Sequence, residues 1–276
     1  MSEDLRAALA ALGAPPPAGR AATSDLSVDE SLLLHGAGFE PADLVSGVSI
    51  QSIPFGSFGA VVGQREPVEL AAATEAVTGA FRASAERLRA ECAAAGGAGV
   101  VGVDVELGIG RLAVQVSLCG TAVRPLGARR PGGVRPFVTD LSVQDYVLLA
   151  RAGFEPVDLV SGASLVAAPL RSLRQLVAQA GQNVELDNLT RALQDARERA
   201  MERLQRSALG AGATGVVDVS ILDAPLGHAR HVLAFVCYGT ALRLAAERPR
   251  RLEPELVLPL DDPARAFEAR SLRTAR

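Results

Sequence analysis

DLSVDESLLLHGAGFEPADLVSG, residues 25–47, returns as DLSVQDYVLLARAGFEPVDLVSG, residues 140–162. The offset is constant at 115 residues, from Asp25 to Asp140, Phe39 to Phe154 and Gly47 to Gly162. A second match closes each copy, Gly120-Thr121-Ala122 with Gly239-Thr240-Ala241, at an offset of 119, so copy two carries a few extra residues near its end. The chain reads as a tandem duplication.

Each copy opens on a helix. Ser27 with Glu30, and Ser142 with Asp145, stand at capping-box spacing, and Leu32-Leu33 and Leu148-Leu149 supply the buried side. Gly36 and Gly38, or Gly153, provide the left-handed stop, and Phe39-Glu40-Pro41 must be extended ahead of its proline. A strand follows at Leu44–Ile53 and Leu159–Ala167, with Val48 and Ile50 alternating against Ser49 and Gln51. Phe55 to Gly59 is a glycine-rich loop without phosphate-loop spacing; copy two has Pro169 to Ser172 there, so a connecting loop is expected.

A long helix comes next, on a stripe of Val77, Phe81, Leu88, Cys92 and Ala95 in copy one and Leu189, Leu193, Ala196, Ala200, Leu204 and Ala208 in copy two. Cys92 aligns with Ala208, which marks it as a small buried thiol. The charged residues of these helices (Glu86, Arg87, Arg89, Glu91; Asp195, Arg197, Glu198, Arg199, Glu202, Arg203) form a solvated or subunit-facing surface. Glycine turns at 96–99 and 210–213 end the helices, and apolar strands run over Val100–Val105 and Val216–Ile221. After a hairpin the last strand of copy one sets Leu112, Val114, Val116 and Leu118 against Ala113, Gln115 and Ser117. In copy two the second face is Val232, Ala234 and Val236, so it should be covered where copy one is exposed.

The fold class is therefore α+β: two tandem helix–strand–long helix–strand–strand modules. Residues 1–24 read as a flexible leader with one short helix, 25–123 as the first module, 124–136 as a linker, 137–244 as the second module and 245–276 as an Arg/Pro-rich tail in which Leu256–Leu258 could add an edge strand.

Composition bounds the chemistry. All 28 basic residues are arginine, which removes the phosphate-loop lysine, a Schiff-base lysine and a Ser-x-x-Lys pair. A net charge of −3 with mixed signs gives no bias toward nucleic acid. Three cysteines without Cys-x-x-Cys spacing fit a reducing cytoplasm, the N-terminus has no secretory pattern, and no apolar run is long enough to span a membrane. A cytoplasmic protein is the expectation. No Ser/His/Asp or Cys/His order repeats between the copies, so no catalytic residue is assigned and an enzyme is only a remote alternative.

A strand, a long helix, Gly97-Ala98-Gly99-Val100-Val101-Gly102-Val103-Asp104 and a last strand ending Gly120-Thr121-Ala122-Val123 resemble the YbjQ-like family of heavy-metal-binding proteins. In copy two the carrying residues are Gly212-Ala213, Val216-Val217 and Gly239-Thr240-Ala241, with Asp218 and Ser220 replacing Gly102 and Asp104. The resemblance covers Leu44–Val123 and Leu159–Leu242 and does not obviously include the capped helices. It implies a closed pentameric ring in which neighbouring subunits complete each other's sheets. Short strands and one long helix leave open edges, which points to self-assembly independently. The expected partner is the chain itself, in a homo-oligomeric ring of five chains. The expected function is a non-enzymatic binding or scaffold role without a cofactor.

Heavy-metal (zinc-like) binding is the alternative. Its candidates are His35, His228, His231, Cys92, Cys119 and Cys237. His231 and Cys237 lie six residues apart on one strand face, roughly 20 Å at ~3.3 Å per residue, and cannot share an ion. His228 and His231 could converge within the turn, with Asp223 as third ligand from the opposite arm. A polar hairpin tip explains the same residues.

Overall fold

The computed structural model describes residues 22–58, 66–126, 135–169, 185–226 and 229–245. The short helix expected near the N-terminus, the triple proline, Gly59, His228 and the Arg/Pro-rich tail with Leu256–Leu258 lie outside them.

The first half runs α1 (Val28–Gly36), β1 (Phe39–Ser52), β2 (Val68–Glu69), α2 (Ala71–Ala94), β3 (Gly99–Ile109) and β4 (Ala113–Pro125). The second runs β5 (Phe137–Val138), α3 (Val143–Arg151), β6 (Phe154–Ala167), α4 (Asp187–Gly210), β7 (Gly215–Leu226) and β8 (Ala229–Leu244). The caps form as expected. Ser27 Oγ accepts from Glu30 N at 3.3 Å while Glu30 accepts from Ser27 N at 2.9 Å, and Ser142 Oγ accepts from Asp145 N at 3.2 Å. Gly38 and Gly153 take φ of +86° and +87°, which a residue with a Cβ adopts only at a cost.

The strands after them begin at Phe39 and Phe154, five residues before the expected start. A proline lacks the N–H a ladder needs, but the register shifts at Pro41/Asp43 and Pro156/Asp158 and carries pairing past it.

Each long helix lies on its own sheet, α2 on β1 and β4, α4 on β6 and β8. The approach is close enough to require glycine. A Cβ on Gly47 would stand 2.1 Å from Ser84 O, and one on Gly162 would stand 2.0 Å from Ala200 O. The predicted stripe is buried: Val77, Leu88 and Cys92 are fully covered, as are Ala196 and Ala200.

The sheets are ordered β1-β4-β3-β5 and β2-β6-β8-β7. The two halves therefore trade strands. β2 of the first half adds antiparallel to β6, and β5 of the second adds parallel to β3. The β6 and β3 edges are thus completed between halves of one chain.

That exchange stacks the layers. α2 packs the first sheet through Val45, Val114, Val116 and Leu118, and the same core continues into Leu165, Val232, Ala234 and Val236 on the second sheet. The other face of the second sheet, with Val160, Leu233, Phe235 and Cys237, takes α4. The contrast read from the final strands holds, with Val232 and Val236 at most 1% exposed while Gln115 is exposed. What covers Val232 and Val236 is α2 of the same chain, not another subunit. A third, smaller core joins Leu34 of α1 to Val143, Tyr146 and Val147 of α3 across Val101 and Val123.

Candidate functional site

The joint between the halves gathers most of the buried polar side chains. Glu69 arrives on β2, directly ahead of α2, and is wedged between β6 and α4. There it pairs with Arg203, whose Nη2 donates to Glu69 Oε2 at 3.0 Å, and Ser164 Oγ donates to Oε1 at 2.9 Å. Arg203 Nη1 also donates to Ala163 O at 2.8 Å, so the guanidinium ties carboxylate and strand together. Burial alone would raise the Glu69 carboxyl. The hydrogen bonds from Arg203 and Ser164 and the charges of Arg203 and Arg199 outweigh it and hold the group below its usual value. Beside it, Leu70 N donates to Leu165 O at 2.8 Å and Leu165 N to Thr74 Oγ1 at 2.9 Å, extending the sheet into the helix N-terminus.

A second node forms further along α2. Arg89, 6% exposed, donates to Asp158 of β6 and, at 3.0 Å, to Glu86, which also accepts from Arg135 at 2.8 Å. Arg89 was expected on a solvated or subunit-facing surface; it faces the other half. Burial raises the Asp158 carboxyl, and the Arg89 and Arg135 charges pull against it. Arg89 Nε is buried and finds no acceptor among the described residues. Between the nodes lies a cleft of about 720 Å³, bounded by α2, α4 and β6, with Arg82, Arg89, Arg135 and Arg203 facing Glu75, Glu86 and Asp158.

The third node sits at the β5 end. Thr139 and Thr240 share a 2.7 Å hydroxyl contact, and Asp140 accepts from Thr240. Burial, with the charge of Asp218, pushes the Asp140 carboxyl up to about 6. In the first half Ser24 and Asp25 contact Thr121 in the same manner, and Thr23 donates to Asp43, so the end of the expected leader is docked.

Of the metal candidates, His228 lies outside the described residues. His35 ends α1. Asp223 stands opposite Phe235 in the β7–β8 ladder, four residues beyond His231, roughly 13 Å at ~3.3 Å per residue. His231 Nε2 is buried without a partner among the described residues. Cys92 and Cys237 are buried and their thiols pushed up to about 11, and burial with the charges of Asp25 and Asp104 raises Cys119. Such thiols stay protonated at neutral pH and are poor metal ligands. Among the described residues, which do not include His228, no three His, Cys, Asp or Glu side chains come together to hold an ion.

Residues 137–245 match a family profile described as "Putative heavy-metal-binding". A curated relative, "Encapsulin nanocompartment protein Rv1762c" of Mycobacterium tuberculosis (strain ATCC 25618 / H37Rv), is 39% identical over 246 residues, covering 87% of this chain and 92% of that protein. The chain belongs to the YbjQ-like family. The matched span begins at β5 and includes α3, so the YbjQ-like unit contains the capped helix, which the narrower resemblance from Leu159 onward had left aside. No helix among the described residues is long and apolar enough to cross a membrane.

Sequence reasoning did not single out Glu69, Arg203, Ser164 or Asp158. A signal was present: Glu69 and Glu185, Arg87 and Arg203, Ser49 and Ser164, Asp43 and Asp158 all recur at the repeat offsets of 115 or 116. These polar residues show no hydrophobic periodicity and were passed over as surface.

Proposed function

We propose that this chain is a non-enzymatic, homo-oligomeric scaffold subunit that works with an encapsulin nanocompartment, and that its halves derive from tandem duplication of one YbjQ-like unit. The partner class comes from the name of the 39%-identical relative. Duplication is supported by strand registers that coincide down to the shifts at Pro41/Asp43 and Pro156/Asp158.

One observation carries the assembly. On the outer face of the first sheet Leu44, Val48 and Ile50 are 41%, 43% and 67% exposed, whereas their counterparts Leu159, Ala163 and Leu165 are 8%, 2% and 0% exposed beneath α2. A face that one half covers is left open on the other, and a contiguous apolar patch of this kind marks a contact site. The expected particle is a ring of five chains carrying ten modules. Native mass at micromolar concentration tests it, and a monomeric mass overturns it. Co-expression with an encapsulin shell protein tests the partner; a chain that never sediments with shells removes that part of the reading and leaves the oligomer.

A further inference from the structure

The joint between the halves is head-to-tail, so its two surfaces both recur unused at the ends of the chain. The first half offers β2, α2 and the β3 edge, and the second receives them on the β6 edge, the outer face of its sheet, and β5 with α3. The second half's equivalents of the offering surface are Glu185 and Leu186 ahead of α4, the outer face of α4 and the β7 edge. The first half's equivalents of the receiving surface are the β1 edge, the outer face of its sheet and residues 22–26 with α1.

We infer that a second copy of this chain docks through these surfaces, with its Glu185 seated against Ser49 and Arg87 of the first. This rests on the homo-oligomeric reading above and names the residues that make the contact. Glu185 corresponds to Glu69, Ser49 to Ser164 and Arg87 to Arg203. Ser49 is 2% exposed, and Arg87 already donates to Val48 O as Arg203 does to Ala163 O. Glu185 is held by Thr190 Oγ1 at 2.9 Å, as Glu69 is by Thr74 Oγ1 at 3.5 Å. The receiving carboxylate site is thus built on the first half, and the carboxylate it fits is presented on the second. By the same correspondence Leu186 N donates to Ile50 O of the docked copy, capping the β1 edge at Gln51 and Ser52.

The other end agrees independently. Gly102, at φ +63°, donates its N–H to Leu141 O at 3.0 Å, holding the β5 segment on β3. Its counterpart Asp218 is the non-glycine residue with positive φ among the described residues, at +53°. Both stand in the same bulge, at Val101/Asp104 and Val217/Ser220, which gives the two edges one backbone shape. By the same correspondence the Asp218 N–H donates to Leu26 O of a second copy. Beside it a cavity of about 500 Å³ is lined by Leu149, Phe154 and Val217. Its counterpart in the internal joint, around Leu34 and Val101, is filled by Val143, Tyr146 and Val147. Val28, the counterpart of Val143, is 70% exposed on α1 and fits this socket.

The test is charge reversal read by native mass and by the dissociation constant between copies. Glu185→Arg and Arg87→Glu should each weaken association about a hundredfold, since each leaves like charges in a desolvated contact. The double variant in one chain should recover the native particle, because every junction is then complementary again, and an equimolar mixture of the two single variants should recover association between unlike copies, the junctions that are complementary there. Far-ultraviolet dichroism identifies a single variant that fails to fold, and the other single variant then decides. A native chain that is monomeric overturns both the oligomer and this contact. A native oligomer that neither reversal weakens, or that neither pairing restores, overturns the contact alone.

Discussion

Val236→Gln should cost the folded chain about 3–5 kcal/mol, whereas Gln115→Val should change it by less than about 0.5 kcal/mol. Val236 is 1% exposed on the outer face of the second sheet, in the core that α2 bridges. Losing its burial removes about 1.5–3 kcal/mol, and enclosing an amide without partners costs about 1–3 kcal/mol more. Gln115 stands on the corresponding face of the first sheet, exposed, where a change of polarity is felt weakly. Urea unfolding followed by dichroism reads the difference. With a slope of about 2–3 kcal/mol per molar, Val236→Gln should lower the midpoint by about 1–2 M. The damage also has a location: α2 belongs to one half and Val236 to the other. The single transition of the native chain should therefore broaden or split as the joint loosens before either sheet melts. Equal midpoint shifts for the two substitutions would refute the reasoning, because both residues would then occupy equivalent surroundings.

Gly162→Ala should destabilise by about 3 kcal/mol or more, since its Cβ would meet backbone atoms of α4 at 2.0 and 2.7 Å, while Gly108→Ala, with nothing within 4 Å, should be near neutral; thermal melts of the pair decide it. Arg89→Ala should cost about 3–5 kcal/mol by leaving the buried Asp158 carboxyl with the more exposed Arg135 as its counter-charge, and adding Asp158→Leu should recover much of that loss, a coupling that a double-mutant cycle measures. Asp140 has a folded-state pKa of about 6 against an ordinary 3.8. A raised carboxyl pKa favours the folded state fully below the ordinary value, and that contribution is lost as pH rises through about 6. The native chain should lose stability between pH 4 and 7 by this route, and Asp140→Asn should flatten the slope; an unchanged melting profile across that range would exclude Asp140 as its source.

What the sequence showed and what it withheld divide along one line. Helix caps, glycine stops, the buried stripes of α2 and α4 and the contrast between Gln115 and Val236 were legible because each follows from local chemistry or from a period along the chain. β2 and β5 were not: two residues each, Val68–Glu69 and Phe137–Val138, carry no periodicity and form only because another half supplies the edge. The site failed to appear for the same reason. Glu69 is separated from Arg203 by 134 residues, and nothing near either betrays the other. Aligning the copies for polar matches as well as apolar ones would have brought the pair forward. Of the metal candidates, the ladder sets Asp223 opposite Phe235, four positions from His231, and His228 lies outside the described residues.

The two joints of this molecule share a geometry and a carboxylate contact but differ where Phe81 packs. Inside the chain Phe81 packs on Tyr238 with ring centroids 6.2 Å apart, and the surrounding contact is aliphatic. At the open surfaces the corresponding residues are Arg197 on α4 and Cys119 on β4, with Asp104 beside Cys119 in the ladder. A covalently linked joint never has to separate, so it can place an aromatic and aliphatic contact here. A joint between chains must wait exposed in water, and an apolar edge and face waiting there would recruit wrong partners. Charge on the open surfaces limits that and leaves geometry and the Glu185 contact to select another copy. The same head-to-tail logic limits the outcome: each chain brings two modules, so a closed ring contains an even number of them, and a junction whose rotation fails to close continues into a filament. Fusion of the modules thus makes one joint permanent and frees the other to become the step at which assembly is controlled.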